Sequence, residues 1–374
     1  MAENSVNINS LASVLSGASL EETKPAAMAA PAPAKPARRV PSSTPEYDSF
    51  LSFAERCDWT FTEAKCEEIF GPGARVIERR DQASLTMEQV AQDHLVGSKP
   101  LIVTGSLETW NAKKTWDPDW FARTYPDDVV IANDRAPARK VDRMTLRPQS
   151  SVRIKLPQYV KYMKSFGRDE KAPPLYLNGW HAFKEHAELC DDIESPAWIE
   201  DHTVLILQQI DKAIAGGGGK GAGGEDGAWV HNTDVLLNKV FMGPAGNITR
   251  LHFDAHRAHG WLAQVRGRKL FVLFPPADSG KLYPLEGEAT TQSPCDPLDP
   301  SVCERYPKYG GASLQYAILE EGETILCPDG WWHFACSLSP SVTVMRNFYH
   351  ALSNVHGLVG LFANLNKKKN KQVK

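Results

Sequence analysis

The sequence predicts a mainly β fold with flanking helices, in which the second half of the chain builds a β sandwich or barrel. Residues 231–350 alternate short apolar or β-branched runs with turns that contain Gly or Pro, a pattern typical of sandwiches and barrels. Residues 46–230 show apolar positions at helical spacing between isolated strand-like runs. A chain of 374 residues, 42% of them hydrophobic, can bury one large core or two modest domains.

The elements before the β core are predicted from periodicity and capping residues. Helices are favoured where apolar residues recur at helical spacing, and the Asp-Pro start of one of them suits a helix N-terminus. Strands are favoured by short apolar runs that end in turns. The predicted order is a helix over 47–71, a strand from 75, a helix from 84, a strand over 99–105, a helix over 117–125, a strand from 129, a helix over 156–166, a strand over 175–177 and a helix over 195–214.

A glycine-rich segment at 215–228 separates this part from the β core. It has the glycines of a phosphate-binding loop, but no Ser or Thr follows Lys220 and no clear strand precedes it. It is therefore predicted to be a flexible surface loop. The core strands are then predicted at 235–242, 261–274, 313–327 and 341–349, with a long polar excursion over 280–311.

The two ends of the chain have a different composition. Residues 1–45 are rich in Ala, Pro and Ser and cannot bury enough apolar surface to order themselves, so they are predicted to be a disordered tail. Residues 351–374 are expected to form a short helix, near 356–366, and then a basic tail. No apolar run reaches membrane-spanning length, and no secretory signal is expected, so no membrane association is predicted.

Charge and cysteine content narrow the function classes. The net charge of −3 argues against a surface that coats nucleic acid, although the basic segment 135–155 is open to two interpretations, a solvated face or a rim for an acidic partner. The seven cysteines contain no Cys-x-x-Cys pair, which predicts a reducing, cytoplasmic or nuclear location. A bridge between Cys295 and Cys303 is the minor alternative.

A candidate metal site appears within the β region. His252 and Asp254 stand two residues apart, so on a strand both would face one side. His333 follows a Pro-Asp-Gly turn and two tryptophans, and a closed β structure can bring it to the same point. Two imidazoles and one carboxylate suit non-haem Fe(II), because they leave positions open for a co-substrate and O₂. His256 continues the alternation, but such a site needs only three protein ligands.

The motifs around these residues resemble a known family. They are a strand with Lys-Pro-Leu-Ile-Val-Thr-Gly, Gly-Asn-Ile-Thr-Arg-Leu-His-Phe-Asp, Gln-Val-Arg-Gly-Arg-Lys, Leu-Phe-Pro-Pro, Trp-Trp-His and a late Arg-Asn-Phe, in order over roughly residues 75–350. The sequence resembles the JmjC (cupin-like) family of Fe(II)- and 2-oxoglutarate-dependent oxygenases, and especially the hydroxylase branch of factor inhibiting hypoxia-inducible factor. The resemblance implies a double-stranded β-helix, or jelly roll, with His252, Asp254 and His333 as iron ligands.

The resemblance also implies a site for 2-oxoglutarate. Lys269 matches the lysine that pairs with the distal carboxylate of the co-substrate. Independently, Val265, Lys269, Phe271 and Leu273 share one parity, which places Lys269 on an inward apolar face; with the opposite parity, Arg266 or Arg268 becomes the candidate.

Three further residues match polar groups of the hydroxylase branch. Thr249 and Tyr176 match hydroxyl residues that bind the same carboxylate, and Asn347 matches an Asn near the metal. Each of the three could instead have an ordinary structural role: Thr249 as a strand residue, Tyr176 as part of the core and Asn347 as a residue at the end of a strand.

One segment departs from the family pattern. Between Asp254 and Gln264 the chain is about two residues longer than the usual form, and an Asn usually found there has no clear counterpart. His256, Arg257 and His259 are expected to line the mouth of the site and to contact the substrate.

The favoured function is hydroxylation of a protein or peptide side chain. N-methyl-lysine demethylation comes second, because the chain lacks Cys/His zinc modules of the chromatin-reading type, and hydroxylation of a tRNA base or a small molecule comes third. A non-catalytic cupin-like binding module is the alternative from a different class. Homodimer formation through C-terminal residues is left open.

Overall fold

The computed structural model describes residues 60–134, 151–166, 174–216, 228–286 and 290–358. The tail predicted for 1–45, most of the glycine-rich loop, most of the basic segment 135–155 and the basic C-terminal tail lie outside these residues. The domain boundaries drawn after residues 45, 230 and 350 stay predictions.

The described residues form fourteen strands. In chain order they are β1 (Arg75–Val76), β2 (Arg79–Asp81), β3 (Leu101–Thr104), β4 (Val129–Asp134), β5 (Ser151–Lys155), β6 (Leu175–Trp180), β7 (Asn238–Gly243), β8 (Ile248–His252), β9 (His259–Arg266), β10 (Lys269–Phe274), β11 (Gln315–Leu319), β12 (Thr324–Cys327), β13 (Trp332–Ser337) and β14 (Ser341–Phe348).

These strands build two sheets that face each other. The smaller has the order β1-β11-β10-β13-β8, and the larger has the order β2-β3-β12-β9-β14-β7-β6-β4-β5. Pairing is antiparallel except where β1 meets β11 and β2 meets β3. From β7 to β14 the strands alternate between the sheets except for the hairpin of β10 and β11, which is the jelly-roll, double-stranded β-helix arrangement expected from the sequence.

Helices surround the sheets. They are α1 (Glu63–Phe70), α2 (Met87–Val90), which continues into a π-helix (Ala91–Val96), α3 (Asn111–Thr115), α4 (Pro118–Thr124), α5 (Leu156–Ser165), α6 (Ala182–Glu185), α7 (Thr203–Gly216), α8 (Ala228–Leu236) and α9 (Val302–Arg305). Short 3₁₀ helices cover Gln82–Ser84, Ala187–Asp192, Ala255–Arg257, Pro276–Lys281 and Pro307–Gly311. Residues 355–358 are helical at the end of the described chain.

Apolar side chains form three main layers. One lies between the sheets and includes Phe271, Leu273 and Met345. A second covers the outer face of the larger sheet with helices α2 to α6. The third covers the outer face of the smaller sheet, where Leu298 and Tyr309 from the 280–311 segment are buried. The excursion predicted to be polar therefore folds as a cover for this sheet.

Local sequence signals account for some boundaries and miss others. Asp117 caps α4 as predicted, since its side chain accepts a hydrogen bond from the Trp120 amide at 2.7 Å. The helix predicted from 84 begins at Met87, because Thr86 and Gln89 form a capping box. The helix predicted over 195–214 begins only at Thr203. Helix α8 and strand β13 were not predicted.

The six cysteines among the described residues are free thiols. Cys295 and Cys303 are both free thiols, so the alternative of a bridge between them was wrong. Among the described residues, no helix has the length and apolar character that crossing a membrane requires.

Candidate metal and co-substrate site

Two neighbouring strands of the smaller sheet bring the candidate metal ligands together. β13 pairs with β8 so that His333 lies opposite His252, whereas Ala335 lies opposite Thr249. The spacing is two residues on β13 but three on β8, which is a bulge. The bulge lets Thr249 and His252, which have opposite parity, face the same space between the sheets.

The three predicted ligands converge. Ligand atoms of His252, Asp254 and His333 all lie within 4.8 Å of one another. Nε2 of His252 is 3.8 Å from Oδ1 of Asp254, and the two imidazole centroids are 4.2 Å apart. Asp254 follows the end of β8 in an extended conformation, so the alternation from His252 continues past the strand. His256 is not a member of this cluster.

Hydrogen bonds to the backbone set the tautomers of both histidines. Nδ1 of His252 lies 2.7 Å from the Arg250 carbonyl, and Nδ1 of His333 lies 3.1 Å from the Trp331 carbonyl. A carbonyl oxygen only accepts, so these contacts are hydrogen bonds in the tautomer whose Nδ1 carries the hydrogen. Each Nε2 then presents a lone pair to the cluster, as a metal ligand requires. This donor set fits Fe(II).

Asn347 contacts the carboxylate of the cluster. Its Nδ2 donates to Oδ2 of Asp254 at 2.9 Å, and its Oδ1 accepts from Nζ of Lys239 at 3.2 Å. The predicted proximity of Asn347 to the metal site is therefore present, as a contact to a ligand. Oδ1 of Asp254 stays on the side of His252.

Lys269 is buried in the same space between the sheets. Only 3% of its surface is exposed, and its Nζ donates to the hydroxyls of Tyr176 at 3.2 Å and Thr343 at 2.6 Å. Burial lowers the pKa of Lys269 to about 7. Two neutral hydroxyls do not compensate a buried ammonium, so the pocket suits an anionic carboxylate.

The parity argument for Lys269 is correct in part. Phe271 and Leu273 share its inward face, but Val265 packs in the layer outside the larger sheet. The turn at Gly267, where φ is 77°, separates β9 from β10 and breaks the alternation. Arg266 and Arg268 are not in the pocket, because they pair with Glu321 and Glu320 at the surface.

The hydroxyl residues also lie near this pocket. Tyr176 is buried with its hydroxyl on Lys269, and Thr249 is half-buried with Asn178 Nδ2 at 3.4 Å from its Oγ1. Sequence reasoning missed Asn178, Thr343 and Lys239. Thr343 could have been found, because Thr343, Met345 and Asn347 alternate along β14 and so share one face.

The enlarged turn after Asp254 is arranged differently from the expectation. His256 and Arg257 adopt left-handed conformations, and the half-exposed Arg257 places Nε 2.8 Å from Oδ2 of Asp329. His259, which was expected at the mouth, has no exposed surface. Its Nδ1 accepts from the Asp329 amide at 2.9 Å, and its Nε2 donates to Ser353 Oγ at 2.7 Å. Burial lowers the pKa of His259 to about 3. Of the three proposed substrate residues, Arg257 is the most exposed.

Two other clusters among the described residues contain possible metal ligands. One comprises Glu200, His202 and His350, and the other comprises Asp128, Glu185 and His186. In the first, Nδ1 of His202 accepts from the Ala351 amide at 3.2 Å, so its Nε2 carries hydrogen and faces Glu200 at 3.3 Å. The second has a single imidazole, already 2.6 Å from Asp128. Neither offers two free imidazole nitrogens.

Comparison with known proteins agrees with the fold. The model of the cupin-like domain family matches residues 87–354, more than half of the chain, and the protein belongs to that family.

Several curated proteins are similar to the chain. It is 27% identical over 270 residues to lysine-specific demethylase JMJ30 of Arabidopsis thaliana, covering 72% of this chain and 53% of that protein. It is 23% identical over 279 residues to 2-oxoglutarate and iron-dependent oxygenase JMJD4 of Gallus gallus, covering 71% and 58%. It is 26% identical over 298 residues to bifunctional arginine demethylase and lysyl-hydroxylase psr-1 of Caenorhabditis elegans, covering 75% and 62%. The chain thus spans little more than half the length of these relatives.

Proposed function

We propose that the protein is an Fe(II)- and 2-oxoglutarate-dependent oxygenase that hydroxylates a protein side chain. The observation that carries this proposal is the convergence of ligand atoms of His252, Asp254 and His333 within 4.8 Å of one another, with the buried Lys269 in the same space between the sheets. The names of the similar proteins support it, since they include an iron- and 2-oxoglutarate-dependent oxygenase and a lysyl-hydroxylase.

Each site residue has a proposed task. His252, Asp254 and His333 would hold the iron on one side and leave the other side open. Lys269 would pair with the distal carboxylate of 2-oxoglutarate, and the hydroxyls of Tyr176 and Thr249 would orient that carboxylate. Bound Fe(II) and 2-oxoglutarate would activate O₂ for oxidation of a C–H bond, with succinate and CO₂ as co-products.

A protein substrate is favoured by the names of the relatives, which refer to lysine and arginine side chains. Demethylation of N-methyl-lysine is the second candidate, because lysine-specific demethylases are among them. Membership of the hydroxylase branch of factor inhibiting hypoxia-inducible factor is part of the proposal. The cytoplasmic or nuclear location stays a prediction, and nucleic-acid binding and a homodimer stay open.

The proposal is tested by measuring succinate formation. Purified protein with Fe(II), 2-oxoglutarate and O₂ should form succinate, and His252→Ala should not. A candidate peptide library analysed by mass spectrometry then separates the outcomes, because hydroxylation adds one oxygen atom whereas demethylation removes a methyl group. A protein that binds no metal and forms no succinate would instead be a non-catalytic binding module.

A further inference from the structure

Two hydrogen bonds in series connect a lysine to a candidate iron ligand. Nζ of Lys239 donates to Oδ1 of Asn347 at 3.2 Å, and Nδ2 of Asn347 donates to Oδ2 of Asp254 at 2.9 Å. We propose that Lys239 is a positioning residue, which acts through Asn347 to fix the oxygen that Asp254 presents to the metal. This inference rests on the proposed function, because it concerns the same metal site.

The donor and acceptor groups fix the direction of both hydrogen bonds. An ammonium group can only donate, so Lys239 must meet the oxygen of the Asn347 amide. The amide nitrogen then points at Asp254, whose carboxylate can only accept. The Asp254 carboxylate and the His259 carbonyl, 3.4 Å from Nδ2, favour the same orientation of the side-chain amide. Lys239 holds the oxygen end of Asn347 and so keeps the amide nitrogen on Asp254.

The strand pairing gives this series a rigid support. Lys239 on β7 lies opposite Met345 on β14, two residues before Asn347. The backbone N–H of Asn347 donates to the Leu237 carbonyl at 3.0 Å, and Asn347 is buried. Strands β7 and β14 of the larger sheet therefore hold the carboxylate of Asp254, which follows β8 of the smaller sheet.

A close backbone contact encloses the same oxygen. A Cβ placed on Gly260 would lie 3.0 Å from Oδ2 of Asp254, so this glycine lets the strand approach the carboxylate. Gly260 and Asn347 together occupy the Oδ2 side, and Oδ1 faces Nε2 of His252. The arrangement favours coordination through Oδ1 alone, which keeps further metal positions open.

Lys239 has no ion pair among the residues that the structure describes. In the described part of the chain, no carboxylate oxygen lies within 4.0 Å of Nζ of Lys239. Arg346 on the neighbouring strand, by contrast, pairs with Asp201 and Asp234. The ammonium of Lys239 is therefore directed at the Asn347 amide and not at a structural carboxylate.

The test uses Co²⁺ as a probe of the metal site. Affinity is measured by calorimetry, and the visible absorption of bound Co²⁺ reports its coordination. Lys239→Met, which keeps the length of the side chain, should weaken Co²⁺ binding by about ten- to a hundredfold and change the absorption. Lys164→Met, at an exposed lysine that pairs with Asp119, is the matched control and should leave both unchanged.

Two further variants test whether Lys239 acts through Asn347 and whether its positive charge is required. If Lys239 acts through Asn347, the double variant Lys239→Met/Asn347→Ala should bind Co²⁺ no more weakly than Asn347→Ala alone. Lys239→Arg, which keeps a cationic donor, should recover the wild-type absorption, and circular dichroism reports folding. Wild-type affinity and absorption in Lys239→Met, or additive losses in the double variant, would overturn the inference. A wild-type protein that binds no Co²⁺ would instead overturn the proposed function.

Discussion

Two clusters in this protein each contain two imidazoles and one carboxylate but have different hydrogen-bond partners. His252, Asp254 and His333 lie between the sheets, and Glu200, His202 and His350 lie where the loop before α7 meets the end of β14. In the first cluster, backbone carbonyls accept from Nδ1 of both rings, so each Nε2 can face the other ligand atoms of the cluster.

In the second cluster the imidazoles are already satisfied. A backbone amide donates to Nδ1 of His202, whose Nε2 lies 3.3 Å from Oε1 of Glu200, and Glu200 accepts from Nε2 of His350. Two imidazoles and a carboxylate therefore do not define a metal site by themselves. The partner of the second ring nitrogen decides whether the first nitrogen can bind a metal.

The largest expected effect is on metal binding. His333→Ala should weaken Fe(II) or Co²⁺ binding by more than about a hundredfold. This loss of affinity is larger than the one expected when a residue that only contacts a metal ligand is removed. His350→Ala should leave that affinity unchanged, because His350 belongs to the hydrogen-bonded cluster. Calorimetric titration of both variants checks this. Equal losses in the two variants would erase the distinction between the clusters.

The next effect concerns the co-substrate. Lys269→Met should weaken 2-oxoglutarate binding by about 10- to 150-fold, since a hydrogen bond to a charged group contributes about 1.5–3 kcal/mol. The melting temperature should not fall, because the substitution removes an uncompensated buried ammonium. Thermal unfolding and a 2-oxoglutarate titration give both values. Unchanged affinity would mean that the carboxylate binds elsewhere.

The second cluster should matter for stability. His350→Ala removes partners of Glu200 and of Ser353, so the free energy of unfolding should fall by about 1–3 kcal/mol. Urea denaturation measures this change. Glu200→Gln is a milder control, because Glu200 is 46% exposed and its loss should cost about 1 kcal/mol or less. A His350→Ala protein of wild-type stability that no longer bound Co²⁺ would contradict the structural role of this cluster.

The smallest effect is the pH dependence of co-substrate binding. Burial holds the pKa of Lys269 at about 7 in the free protein, below its ordinary value, and a carboxylate would bind the protonated form. Affinity should therefore fall by about tenfold for each pH unit above the pKa of Lys269. The free folded protein should gain stability over the same range, because the unfolded chain keeps this proton to higher pH. Titrations from pH 6 to about 9 check this, and a flat affinity profile would contradict it.

Alternation along single strands predicted the β core and the shared face of His252 and Asp254. The order of the motifs, through the family resemblance, indicated His333 as the third ligand and favoured Lys269 as the inward residue. The bulge between β8 and β13 was not predictable, because it is a property of the pairing of two distant strands. It decides that Thr249 and His252 share a face.

Long-range packing explains the other differences. His259 follows the ligand turn in sequence, but the Asp329 amide and Ser353 hold it inside the protein. Lys239 lies opposite Met345 only through the β7–β14 pairing, so no spacing in the sequence connects it with Asp254. The 280–311 segment is polar on average, yet a few apolar residues suffice to cover the smaller sheet.

Locating the metal directly tests the difference between the two clusters. Crystals grown with Co²⁺ and measured at the cobalt absorption edge should give one anomalous peak, about 2.0–2.2 Å from Nε2 of His252, Nε2 of His333 and Oδ1 of Asp254. The Glu200, His202 and His350 cluster should give none. A peak at the second cluster, or none at the first, would contradict the assignment of the metal site.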